Sequence, residues 1–211
     1  MDIISILVVL VIILISMTLH EAMHGFMAYF LGDDTAKHHG RLTLNPVKHI
    51  DPFLTILLPL ALAMMGGPIF GGAKPVPFNP SRVKYGEWGS ALVAVAGPLT
   101  NFVLAFVLFG VYAVVSNSYG NGLATDTLAL AVQVNLGFFI FNMLPIPPLD
   151  GSRVLYALAP EFVRRGMEAI ERFGIIFVFL VVLLASPLII TVIQAGMEGI
   201  LKLFYAIFSF V

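Results

Sequence analysis

Cysteine is absent from this chain of 211 residues, which excludes disulfides, thiolate metal ligands and a cysteine nucleophile. Charge is scarce as well: 11% of the residues are Asp, Glu, Lys or Arg, whereas 59% are hydrophobic, and the mean hydropathy is +0.99. Soluble domains carry about 25% charged residues, so this composition argues against a water-soluble globule. The net charge of −1 gives no reason to propose nucleic acid as a partner. No G-x-S-x-G occurs, and Ser90 and Ser152 have no neighbouring His to serve as base. The membrane aspartates form no credible dyad, and no internal repeat is apparent. The apolar run from Ile3 to Leu19 has neither a basic stretch ahead of it nor a convincing small-residue cleavage site, so the first helix is expected to be retained.

Long apolar stretches fill most of what remains. They predict strong transmembrane spans at about 3–31, 88–115, 127–149 and 173–193. The expected fold is an all-α polytopic membrane protein with about four to five transmembrane helices, forming one domain over residues 1–211. Segment 53–65 is short for a crossing and is closed by Gly66, Gly67 and Pro68, so it reads as re-entrant or interfacial. The prolines between Gly71 and Arg82 favour extended or turn backbone, a loop returning the chain to the membrane. Pro187 is expected to bend the last strong span, and the tail 194–211, with Glu198 and Lys202, reads as a final short span or an interfacial helix.

His20, Glu21 and His24 spell HExxH inside the first helical segment. Residues i and i+4 share a helix face, so both imidazoles can reach one metal, and Glu21 beside the first ligand can address water held there. The competing reading is a polar patch in the headgroup region. It leaves three ionisable groups at the end of an apolar run, which is costly unless they are paired or metal-bound. A catalytic zinc takes three protein ligands, so a third is needed. Without cysteine, it must come from His38, His39, His49 or an acidic residue. Asp150 stands out because it closes NMLPIPPLDG, Asn142 to Gly151, whose three prolines break a helix where backbone would line a cavity. An ordinary membrane-exit turn also accounts for the Asp-Gly pair. His38, His39 and His49 are expected to lie in a solvated loop.

HExxH in a first helix, AGPLTN at Ala96 to Asn101, and NMLPIPPLDG near a later helix end together resemble the signatures of the site-2 protease family, the zinc intramembrane peptidases. The resemblance implies that His20, His24 and Asp150 bind one zinc ion per chain and that Glu21 is the general base. It further implies that Asn142 assists near the scissile bond, where it is a candidate oxyanion donor, and that Asn101 packs close to the site. GRLTLNPVKHIDP, Gly40 to Pro52, and AKPVPFNPSR, Ala73 to Arg82, resemble the compact bacterial branch, without PDZ or CBS modules. The expected function is zinc-dependent hydrolysis of peptide bonds in or near transmembrane segments of membrane-embedded substrates. A metal transporter and a catalytically silent metal-binding membrane protein are the alternatives. Transporters show repeated halves and a site near the bilayer midplane, and retention of Glu21 argues for turnover.

Orientation follows from Lys and Arg in the short loops. Loop 32–88 holds six, loop 116–126 none and loop 150–172 four of the chain's eleven. If segment 53–65 does not cross, these loops share the cytoplasmic side, the N-terminus is outside, and His20, His24 and Asp150 lie toward the cytoplasm. Single cysteines placed in 32–50 and 153–172 are then labelled from the cytoplasm by an impermeant thiol reagent, and a cysteine near Tyr119 from outside. Labelling of positions 40 and 80 from opposite sides contradicts this topology.

Overall fold

The computed structural model describes residues 3–57 and 72–209. Among them the chain is helical and contains no strand. Four helices are long and apolar enough to cross a membrane: α1 (Ile3–Phe30), α3 (Gly86–Tyr119), α4 (Leu123–Asn142) and α7 (Gly174–Ile207). Three short helices connect them: α2 (Thr35–His38), α5 (Asp150–Leu158) and α6 (Glu161–Glu171).

Several boundaries differ from the sequence reading. The span expected at 127–149 ends at Asn142, because Pro145, Pro147 and Pro148 supply no N–H and force the chain out of the helix before α5 begins. The expected loop 150–172 contains α5 and α6. The expected tail is continuous with the last span: α7 runs to Ile207 through Pro187, and the bend is taken up by Ala185 at φ −114° and ψ 17°. Local adjustment of this kind is how apolar membrane helices tolerate proline. Of the expected re-entrant segment 53–65, residues 58–65 lie outside the described residues, and its beginning, Pro52–Leu57, winds as a π-helix.

Helix α3 is the hub, packing against α1, α4 and α5. Its residues Gly89, Val93, Gly97, Asn101, Ala105 and Phe109 recur every fourth position and are all buried. Such a row forms one ridge of a helix. The lower half of the ridge meets α1, where the matching row is Ser16, His20, His24 and Ala28. Small residues let the backbones approach, which matters where lipid offers no hydrophobic drive for helix association. The other half, Ala105 and Phe109, joins Val132 and Leu136 of α4 and Phe204 of α7 in an apolar cluster. Within it, Phe102, Phe106 and Phe109 meet the rings of Phe204 and Phe208 at centroid distances of 5.2–5.8 Å. A second cluster, Ala28, Leu31, Val83 and Val93, closes the opposite end of the α1–α3 contact.

Turns at one end of the bundle are fixed by specific groups. Helix α1 stops at Gly32, whose φ of 107° is left-handed. The N–H of Gly32 donates to Tyr29 O and that of Asp33 to Ala28 O, the paired bonds of a glycine-terminated helix. The Asp33 side chain is fully buried and accepts from the Thr35 N–H, the Thr35 hydroxyl and the Asn79 N–H. Burial alone would raise its pKa, but these bonds outweigh burial and hold the carboxyl below the ordinary carboxylate range.

At the start of α5 the chain folds back on the end of α4. A Cβ on Gly151 would lie 2.3 Å from the Met143 carbonyl oxygen, so only glycine fits. Gly151→Ala is expected to destabilise the protein by about 1–3 kcal/mol, as overpacking does. Gly166→Ala, whose methyl would meet nothing within 4 Å in α6, is expected to be neutral or stabilising by up to about 1 kcal/mol. Thermal unfolding of the two variants in one detergent checks this, and equal midpoints would contradict the tight turn.

Candidate metal centre

His20 and His24 project from one face of α1, one turn apart, with ring centroids 4.7 Å apart and planes nearly perpendicular. Each ring is held at its Nδ1. His20 Nδ1 lies 2.7 Å from Asn101 Oδ1, and His24 Nδ1 lies 2.8 Å from the Val93 carbonyl oxygen. Because both partners are acceptors, each Nδ1 carries the proton and each Nε2 is left with a free lone pair. Asn101 is itself fixed, its Nδ2 donating to Asn135 Oδ1 at 2.9 Å and to the Ser16 carbonyl at 3.3 Å. Asn135 donates in turn to Ala131 O within α4. A buried amide chain thus ties α1, α3 and α4 together beneath the His20 ring.

The two free nitrogens converge, with Nε2 of His20 and Nε2 of His24 3.1 Å apart. Asp150, in the first turn of α5, brings its Oδ2 to 3.2 Å from the first and 3.5 Å from the second. Tetrahedral zinc with bonds of about 2.0–2.2 Å implies ligand separations of about 3.3–3.6 Å. The three separations, 3.1, 3.2 and 3.5 Å, come within about 0.2 Å of that range. Three acceptors this close, in a site where His20 is 7% exposed, repel one another unless a cation or proton lies between them.

Glu21 also belongs to the cluster: it presents a carboxylate oxygen within 4.8 Å of the nitrogens of His20 and His24. Its Oε2, however, accepts from the Val76 N–H at 3.0 Å. Asp150 approaches the nitrogens more closely, at 3.2 and 3.5 Å. The centre opens into a cavity of about 720 Å³, walled by Phe138, Phe141, Pro148, Val182 and Ile190 among others. Asn142 lines it too, with its Nδ2 donating to Phe138 O at 2.9 Å. Asn101 reaches the centre only through His20.

The sequence reading singled out none of Asn135, Val76 or the cavity-lining pair Arg153 and Glu171, whose side chains bond between α5 and α6. Nothing in the local sequence marks Asn135, Arg153 or Glu171, whereas Val76 lies between Pro75 and Pro77 but makes its contact through backbone alone. His38 and His39 are exposed as expected, and His38 pairs with Asp34. His49 corrects the expectation of a solvated loop: it is 2% exposed, with its Nε2 donating to the Thr43 carbonyl.

Gly97 explains why AGPLTN matters physically. A Cβ there would stand 2.4 Å from His24 Nε2 and 2.8 Å from His20 Nε2, in the space the two lone pairs face. Gly97→Ala is therefore expected to weaken metal binding by about 10–100-fold, the range seen when ligand orientation is disturbed. Gly199→Ala, where an added methyl meets nothing within 4 Å, leaves metal content unchanged. Metal analysis of the two purified variants checks this, and full metal in Gly97→Ala would contradict the close fit.

Comparison with known proteins bears on the same residues. The model of Peptidase family M50 matches residues 8–126 and 112–186. YwhC of Bacillus subtilis, named as a candidate zinc metalloprotease, is 43% identical over 208 residues, covering 93% of this chain and 90% of its own. Rip2 of Mycolicibacterium smegmatis, named likewise, is 33% identical over 176 residues, 82% of this chain and 65% of its own. MJ0611 of Methanocaldococcus jannaschii, also so named, is 44% identical over 66 residues, 30% of this chain and 31% of its own. No solved structure matches the chain. The family match covers the HExxH helix, the glycine that faces its rings and the turn carrying Asp150: the chain belongs to peptidase family M50, the site-2 proteases.

Proposed function

We propose that this zinc metalloprotease hydrolyses peptide bonds in or next to transmembrane segments of other membrane proteins. In this reading His20, His24 and Asp150 hold the zinc and Glu21 is the general base. The observation that carries it is the convergence of three acceptor atoms within 3.5 Å of one another beside a second, differently held carboxylate, that of Glu21. The chain is a multi-pass membrane protein by its four apolar helices and its family. Ten residues of α1 follow His20, about 15 Å of helix at 1.5 Å per residue, which supports a site below the membrane surface.

Zinc, when bound, supplies positive charge that acidifies water and polarises a carbonyl. The chain's own groups do the rest. The Glu21 carboxylate takes a proton from the attacking water as its oxygen bonds the scissile carbon, then gives that proton to the amide nitrogen as the C–N bond breaks. The products are a carboxylate and an amine. Asn142 can turn its Nδ2 from Phe138 O toward the scissile carbonyl oxygen, and Asn101 keeps His20 in the tautomer that leaves Nε2 free. A substrate helix must unwind locally first, since its carbonyls are otherwise engaged in hydrogen bonds.

The basic loops support a cytoplasmic active site. Their Lys and Arg flank the C-terminal end of α1, the N-terminal end of α3 and helices α5 and α6, while the turn at 120–122 carries none.

Glu21→Gln is expected to keep near-normal zinc and lose about 10²–10⁴-fold in kcat on a single-span substrate. His20→Ala, His24→Ala and Asp150→Ala are expected to lose zinc as well as activity, and a chelator to abolish activity until zinc is restored. Unchanged turnover in Glu21→Gln would sink the mechanism, and full zinc in Asp150→Ala would move the third ligand elsewhere.

A further inference from the structure

Segment 72–79 has no regular secondary structure, yet it is fastened along its length. The Gly72 carbonyl accepts from Thr55 Oγ1 at 2.7 Å. The Lys74 N–H donates to His49 O at 2.9 Å, and the Lys74 carbonyl accepts from Arg41 Nη2 at 2.6 Å. The Asn79 N–H donates to the Asp33 carboxylate. Between these anchors, the Val76 N–H donates to Glu21 Oε2 at 3.0 Å. Pro75 and Pro77 flank Val76, so it supplies the one N–H in that run of three residues. A proline after Val76 also restricts Val76 to extended backbone. Gly25, one turn beyond Glu21 on the same face of α1, makes room for it: a Cβ on Gly25 would be 3.1 Å from Val76 Cγ1.

We propose that the backbone N–H of Val76 is the positioning group of the Glu21 carboxylate, presented singly by the Pro-Val-Pro run. It rests on the reading of Glu21 as general base. With Oε2 committed to this donor, the carboxylate plane is fixed by an element outside α1, and the other oxygen is left to accept the proton. An unanchored carboxylate beside two imidazoles would swing toward the cation as a fourth ligand. The Val76 N–H competes for it and keeps base and ligands distinct. The flanking prolines prevent a second N–H from shifting the register, since displacing the segment by one residue would bring a ring with no donor to Glu21.

The test is an amide-to-ester replacement at Val76, made with the α-hydroxy acid counterpart of valine, which removes the N–H and keeps the side chain. The matching ester at Lys74 removes a bond that holds the segment without touching Glu21. The Val76 ester is expected to lower kcat about tenfold or more, as loss of a hydrogen bond to a charged group does, with KM and zinc content unchanged. The Lys74 ester is expected to lower kcat less. In zinc-free protein, the carboxylate stretching band assigned by subtraction of Glu21→Gln is expected to shift in the Val76 ester and not in the Lys74 ester. An unshifted band, a kcat within twofold of the parent, or equal losses from both esters would overturn the proposal. Full activity in Glu21→Gln would instead overturn the reading of Glu21 as base, so the two failures are distinguishable.

Discussion

Three hydrogen-bond acceptors, two imidazole nitrogens and a carboxylate oxygen, are held within 3.5 Å of one another at the meeting of α1 and α5. Left to themselves they repel, and at low dielectric the repulsion is stronger than in water. The arrangement persists only if surrounding groups hold each ring from behind and a cation joins them in front. Most of the polar bonds in the centre of the bundle do the first of these. Asn101, Asn135, Ser16 and the Val93 carbonyl are committed to the outer nitrogens or to the group that holds them. Each is satisfied within protein, as buried polar groups in a membrane must be.

Close approach is the second requirement, and glycine supplies it at each contact that matters. Gly97 leaves the front of both rings open, Gly151 lets the chain bearing Asp150 turn tightly on the end of α4, and Gly25 admits Val76 beside Glu21. The aromatic cluster of α3 and α7 at one end and the Leu31–Val83 cluster at the other then clamp the contact from both sides. Side-chain orientation and helix packing are therefore one problem here: the α3 ridge that brings α1 close is the ridge that holds its two imidazoles.

Much of this was legible in sequence. HExxH needs only helical periodicity to place two imidazoles together, and the apolar runs announced the four long helices. Asp150 was harder, because its proximity to His20 depends on a turn between distant segments; the prolines before it marked the break but not its direction. The same prolines ended α4 at Asn142, seven residues short of the expected boundary at 149, since hydropathy continues through Leu144, Ile146 and Leu149 while the helix does not. Pro187 marked its bend, which falls at Ala185; what hydropathy left unmarked is that the helix runs on beyond 193 to Ile207. Contacts made by backbone atoms, such as the Val93 carbonyl on His24 and the Val76 N–H on Glu21, carry no side-chain signature at all.

The polar loop after α1 shows why hydrophilic composition is a poor guide to exposure in such a protein. Irregular backbone near a membrane-embedded site is tolerated only where its N–H and C=O groups find partners. Segment 72–79 is irregular and lies against the centre, so its partners must come from somewhere. They come from the loop: Asp33, Arg41 and His49 are 0%, 6% and 2% exposed, and each bonds a carbonyl or N–H of this segment through its side chain or backbone. Residues whose polarity suggests a solvated loop are thus interior. Their satisfaction is incomplete, since Arg41 Nε and His49 Nδ1 are buried without a partner. The segment they hold is the one that brings the Val76 N–H to Glu21, so the interior polar groups of this loop and the contact on Glu21 belong to one arrangement.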